Sequence, residues 1–165
     1  MANIPVKNSA LSVDQLPLKS LMINIGVALA GSREIETWSQ TNYGKSLSVF
    51  CGTDIENPPD KTDCPFVEIW ADTDNHGRAI ETHVRSIGIG LCLHDNDKTM
   101  VEVAKGFDIV RGANNLEELW TLVLTAAAGA DLLDGFVAHV LAQRDENCLF
   151  PFFVINAGFV IHKPI

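Results

Sequence analysis

The stretch Val84 to Leu93 constrains this chain more than any other, because its side chains alternate strictly in size. On an extended backbone Ile87, Ile89, Leu91 and Leu93 fall on one face, while Ser86, Gly88, Gly90 and Cys92 fall on the other. The aliphatic face predicts a strand buried against a core. The small face invites close approach by another element, a packed helix or a neighbouring subunit, since glycine inside a strand weakens it unless something lies against it.

Other segments supply the rest of the sheet and the helices to cover it. Leu18, Leu21, Met22, Ile25 and Leu29 recur at three- and four-residue steps, predicting an amphipathic helix over roughly 13 to 30, capped by Ser12 or Asp14 and stopped by Gly31. An irregular stretch through Trp38 and Tyr43 then leads to a short strand near Lys45 to Cys51. The segment Gly52 to Pro65, with Asn57, Pro58, Pro59 and Asp60 in succession, predicts a projecting loop, because proline cannot donate to a ladder and restricts the residue before it. Phe66 to Trp70 and Phe107 to Val110 read as strands, Asp72 to Gly77 and Asp95 to Asp97 as turns.

Asn114 or Asn115 predicts the cap of a second helix, with Glu117 completing a capping box from Asn114. Leu116, Leu119, Trp120, Val123 and Leu124 form its apolar stripe, and Leu133, Val137 and Leu141 extend it past possible kinks at Gly129 and Gly135. The segment Phe150 to Ile161 is strand-like, broken by Pro151 and by Asn156-Ala157-Gly158. The fold class is therefore α+β: a single mixed, mainly antiparallel sheet flanked by two main helices. A length of 165 residues with 47% hydrophobic content suits one core, so residues 11–165 are expected to form one domain behind a flexible leader of residues 1–10.

Composition excludes several functions. With 21 acidic and 12 basic side chains the net charge is -9, and no Lys/Arg cluster interrupts it, so sequence-specific nucleic-acid binding is not expected. The best apolar run, Leu16 to Ala30, contains Pro17, Lys19 and Asn24 and is too short to span a bilayer. No secretory signal precedes it, which predicts an intracellular protein with reduced thiols. Cys51, Cys64, Cys92 and Cys148 lack CxxC spacing and a His at zinc-finger distance, so they read as free thiols in or near the core.

Two constellations could carry chemistry. Asp72, Asp74, Asn75, His76 and His83, with His94, Asp95 and Asp97 beyond the next strand, offer ligands for a divalent ion, but they lack the twelve-residue calcium loop and read as solvated turns. Cys92 with His83 could form a nucleophile pair, yet a mid-strand thiol on a small-residue face reads as buried and inert. His139 is expected as a half-buried structural residue on the second helix, and Trp70 and Trp120 as core. There is no nucleophile elbow, P-loop or dinucleotide fingerprint, so no catalytic residue, metal or cofactor is predicted. The run Leu149 to Ile155 is apolar on both strand faces; one face serves the core and the other calls for a second layer or a partner.

The succession of elements resembles the tail-terminator or minor tail proteins of long-tailed bacteriophages. The likeness rests on Asn57-Pro58-Pro59-Asp60 through Cys64-Pro65-Phe66-Val67, the strand Arg85 to Leu93, the helix from Asn114, and Phe150-Pro151-Phe152-Phe153, and it covers most of the chain from about Leu11. The resemblance implies a non-catalytic protein that forms a homo-oligomeric ring, a hexamer, capping the tail tube and meeting tail-tube and head-connector proteins. It would reside in the virion tail, and in the bacterial host cytoplasm during assembly. Interface candidates are then Asn57, Pro58, Pro59 and Asp60 in the loop, Ser86, Gly88 and Gly90 on the small-residue face, and Phe152 and Phe153 in the last strand. The alternative class is a small cytoplasmic ligand-binding or metal- or thiol-dependent α+β protein.

Overall fold

The computed structural model describes residues 18–52, 56–71, 85–130 and 137–162. The chain runs α1 (Leu18–Ala30), α2 (Arg33–Tyr43), β1 (Ser48–Cys51), β2 (Phe66–Ala71), β3 (Arg85–His94), β4 (Met100–Ala104), β5 (Phe107–Val110), α3 (Arg111–Ala128), β6 (Val137–Leu149) and β7 (Phe152–His162). The main sheet has five strands in the order β1-β2-β3-β7-β6, and β4 and β5 form a separate two-stranded hairpin. Only β1 and β2 pair in parallel; the other neighbours are antiparallel. The α+β class with one mixed, mainly antiparallel main sheet thus holds.

The size alternation in β3 sets the sheet's polarity. Ile87, Ile89, Leu91 and Leu93 are all fully buried, and the register aligns them with Val67 and Ile69 of β2 and with Phe153, Ile155, Ala157 and Phe159 of β7. These residues form a continuous inner face. Leu21, Ile25 and Leu29 of α1 and Leu116, Leu119, Trp120 and Val123 of α3 pack into the same core. The stripes meet the sheet because helical spacing places each set on one side of its helix.

Several expectations need correction. The irregular stretch through Trp38 and Tyr43 is helix α2, started by Ser32, whose side chain accepts from the Ile35 amide at 3.3 Å, and ended by Gly44 at φ 68°. α3 begins at Arg111, ahead of the capping box expected from Asn114. Asn114 instead donates to Glu118 Oε1 at 2.8 Å, and buried Asn115 donates to the Tyr43 hydroxyl at 3.4 Å. The second helix stops at Ala128, and Val137 to Leu149 is strand β6, which carries His139 opposite Val160. The last strand is not broken at Asn156-Ala157-Gly158, because these residues pair in register with Gly90, Ile89 and Gly88 of β3. The leader, the expected caps Ser12 and Asp14, the turn from Asp72 to Gly77, and Leu133 and Gly135 lie outside the described residues.

Candidate functional site: the outer face of the sheet

Alternation along the strands places Phe50, Phe66, Glu68, Trp70, Cys92, His94, Phe152 and Asn156 on the face opposite the helices. No described helix covers this face. Phe50 and Phe66 meet edge to face at 6.0 Å between ring centres, and His94 lies against Phe152 at 4.9 Å. Phe152 remains 41% exposed and Phe66 and Trp70 are half-buried, so the face is aromatic without being closed. Amid these rings one carboxylate oxygen of Glu68, Oε1, is buried with no hydrogen-bond partner among the described residues.

Gly88 and Gly90 do receive the close approach that glycine in a strand implies, but from within the sheet. A Cβ added at Gly88 would stand 2.2 Å from Trp70 Cε2, and one at Gly90 would stand 2.8 Å from Asn156 Oδ1 and 3.1 Å from Trp70 Cζ3. The indole of Trp70 therefore fills the trough left by the two glycines. They are buried beneath it, which removes them from the set of surface contacts. Trp120 is a core residue as expected, whereas Trp70 belongs to the outer face.

Phe153 also leaves the interface set. It is 1% exposed and points the opposite way from Phe152, into α3, where its ring occupies the space a Cβ on Gly112 would take. Adjacent strand residues face opposite sides, so only one of the two phenylalanines could ever be outward. The side chain of Ser86 lies outside the described residues. Asn57, Pro58 and Asp60 are exposed and Pro59 is half-buried, and with Phe152 they are the expected candidates that the surface presents.

The loop and Phe152 come together around a groove of about 460 Å³. Pro59, Asp60 and Lys61 of the loop and Phe66 and Phe152 of the strands line it. The loop is internally braced: Asp60 Oδ1 accepts from the amide and the hydroxyl of Thr62, both at 2.6 Å, and Asp63 Oδ2 accepts from the Asp60 amide at 2.8 Å. The Thr62 hydroxyl first, and the Thr62 amide after it, hold the Asp60 carboxyl below the usual carboxylate range. Lys45 Nζ donates to the Thr62 carbonyl at 2.7 Å and anchors the loop to the segment after α2.

Cys64 and Cys92 also line the groove, with sulfurs 3.7 Å apart. Sequence reasoning missed the pairing because 28 residues separate them; only the β2–β3 register, which sets Phe66 against Cys92, brings them together. The contact with the Cys92 sulfur, to which Cys64 Sγ donates, shifts the Cys64 thiol down, burial opposes this, and the Lys45 ammonium adds to the lowering. The same sulfur–sulfur contact first, and burial after it, push Cys92 up.

Of the carboxylates considered as metal ligands, the described ones, Asp95 and Asp97, lie against Arg111. Asp97 Oδ1 accepts from the Thr99 amide at 2.8 Å and hydroxyl at 2.5 Å, and Asp97 Oδ2 accepts from the Arg111 guanidinium at 2.6 Å. Buried Asp95 lies 3.9 Å from Arg111 Nε and accepts from the Asp97 amide at 2.8 Å. This network locks the turn onto the first residue of α3, where the Arg111 amide also donates to the Thr99 carbonyl at 2.9 Å. No group of three or more metal-ligating side chains occurs among the described residues; Asp72, Asp74, Asn75, His76 and His83 lie outside them.

The network makes stability sensitive to acid. Thr99 first, and Arg111 after it, hold the Asp97 pKa down at about 2, against about 3.9 in an unfolded chain. A depressed carboxylate contributes stability above the unfolded value and loses it as pH falls toward the folded one, so the window is about pH 4 down to about pH 2. Urea midpoints measured across that window should fall more steeply for wild type than for Asp97→Asn. Equal slopes would mean that the Thr99 and Arg111 bonds do not distinguish the charged carboxylate from the neutral one.

Among the described helices none is long and apolar enough to cross a membrane. No protein-family model matches this chain, and no curated protein matches it at a significant level.

Proposed function

We propose that this chain is a structural tail protein of a long-tailed bacteriophage or prophage, a terminator that assembles into a ring, caps the tail tube and meets the head connector. The supporting observation is the outer sheet face: a strip of aromatic residues with no described helix upon it, bordered by the braced loop of Pro59 and Asp60. A soluble chain that leaves such a strip open is suited to covering it with another subunit. The buried Glu68 oxygen, without a donor among the described residues, strengthens this reading, because a buried acceptor without a donor costs about 1–3 kcal/mol unless a partner supplies one.

The β4–β5 hairpin adds a second contact surface. It stands apart from the main sheet and packs on α3, yet Met100, Val103 and Phe107 are 52%, 46% and 61% exposed. An isolated two-stranded hairpin is at best marginally stable in water, so docking against a neighbour would stabilise it.

The test is assembly. Wild type should form a closed ring of six chains, each of 18.0 kDa, alone or on adding tail-tube protein. Phe152→Asp should abolish the ring while leaving the circular dichroism spectrum unchanged, since Phe152 is a surface residue. A wild-type protein that stays strictly monomeric by light scattering, both at high concentration and when mixed with tail-tube protein, would sink the reading.

A further inference from the structure

Cys64 ends the braced loop and Cys92 is fixed near the end of β3, paired on both sides, and their sulfurs are 3.7 Å apart at the groove. Both are reduced, and they are 4% and 9% exposed, so the groove is their route to solvent. A disulfide needs its sulfurs at about 2.05 Å, which leaves a closing movement of about 1.7 Å. The loop side can supply it, because Cys92 is held by ladders on both sides while Cys64 lies outside any strand.

We propose that Cys64 and Cys92 form a peroxide-responsive dithiol that closes to an intramolecular disulfide and ties the loop bearing Pro59 and Asp60 to β3. Cys64 is the attacking sulfur. Its neighbours favour the thiolate, whereas Cys92 is held as a thiol and acts second. In the first step the Cys64 sulfur attacks one oxygen of a hydroperoxide and the O–O bond breaks. The second oxygen leaves with the proton that Cys64 gave up, and Cys64 becomes a sulfenic acid. The Cys92 sulfur then attacks the Cys64 sulfur, the S–O bond breaks, and the departing hydroxide takes the Cys92 proton as water. Two thiols and one hydroperoxide become one disulfide, one water and one alcohol, or a second water from hydrogen peroxide itself. The sulfurs lose two electrons and the peroxide gains them.

This inference is independent of the assembly reading, and its test reads sulfur chemistry alone. The full-length wild-type chain is treated with hydrogen peroxide under native conditions, alkylated, and mapped by mass spectrometry without reduction. The expected result is a Cys64–Cys92 cross-linked peptide, two hydrogens lighter than the sum of its parts and lost on adding dithiothreitol. In Cys92→Ser, Cys64 should be captured as sulfenic acid by a dimedone-type probe, while in Cys64→Ser the Cys92 sulfur should stay unoxidised. The proposal is overturned if both cysteines remain free to alkylate while exposed Cys51 oxidises, or if the cross-link forms only after denaturation. Because the map is made on wild type, a variant that fails to fold does not spare the idea.

Discussion

Phe153→Ala should lower the free energy of unfolding by about 3–5 kcal/mol, while Phe152→Ala, one residue away, should change it by about 1 kcal/mol or less. The difference follows from the strand's alternation. Phe153 is 1% exposed among Leu93, α3 and the rest of the inner face, so truncation removes a whole ring from the core and leaves a cavity that a pinned helix cannot collapse into. Phe152 keeps much of its ring in solvent and touches mainly His94 and the groove. Chemical denaturation of the two variants beside wild type decides the matter. Equal losses would mean that the two faces of β7 contribute alike, and the division of the sheet into a core face and an open face would be wrong.

That division was legible in the sequence through one segment. Strict alternation in β3 identified the buried positions, and the register carried the pattern to β2 and β7. The segment around Phe152 and Phe153 was ambiguous because both faces are apolar, so alternation could not say which residue turned inward. The structure settles it through Gly112, whose missing side chain makes room for Phe153 alone.

Helix α2 was missed for a different reason. Its sequence carries good end signals, with Ser32 and Glu34 at its start and Gly44 past its end, but only Ile35 and Ser39 are buried, so no apolar stripe announces it. Strand β6 was misread because Leu133, Val137 and Leu141 are spaced as on a helix; pairing with the long strand β7 outweighs that local pattern. The start of α3 was misplaced because its determinant is tertiary. Arg111 is fixed by Asp97 and Thr99 from a turn more than ten residues earlier, and no local capping rule contains that information.

The contact between Gly112 and Phe153 gives the second large effect, and its sign is the point. In an exposed helix interior Gly→Ala stabilises by about 1 kcal/mol, through the greater helix propensity of alanine and the lower entropy of its unfolded chain. Here the new Cβ would stand 2.2 Å from Phe153 Cε2, well inside contact distance. Relief requires the ring or the helix to move. The ring is enclosed in the core, and the helix is held at Arg111 by the Asp97 ion pair and the Thr99 carbonyl. Overpacking of this kind costs about 1–3 kcal/mol and can reach the cost of expelling the ring, so Gly112→Ala should destabilise despite the propensity gain. Phe153→Leu removes the colliding edge, and in that background Gly112→Ala should become neutral or stabilising, a coupling of about 1–3 kcal/mol in a double-mutant cycle. If Gly112→Ala raises the denaturation midpoint in the wild-type background, the packing of α3 against β7 is looser than described, and Phe153 does not hold the position on which the inner face depends.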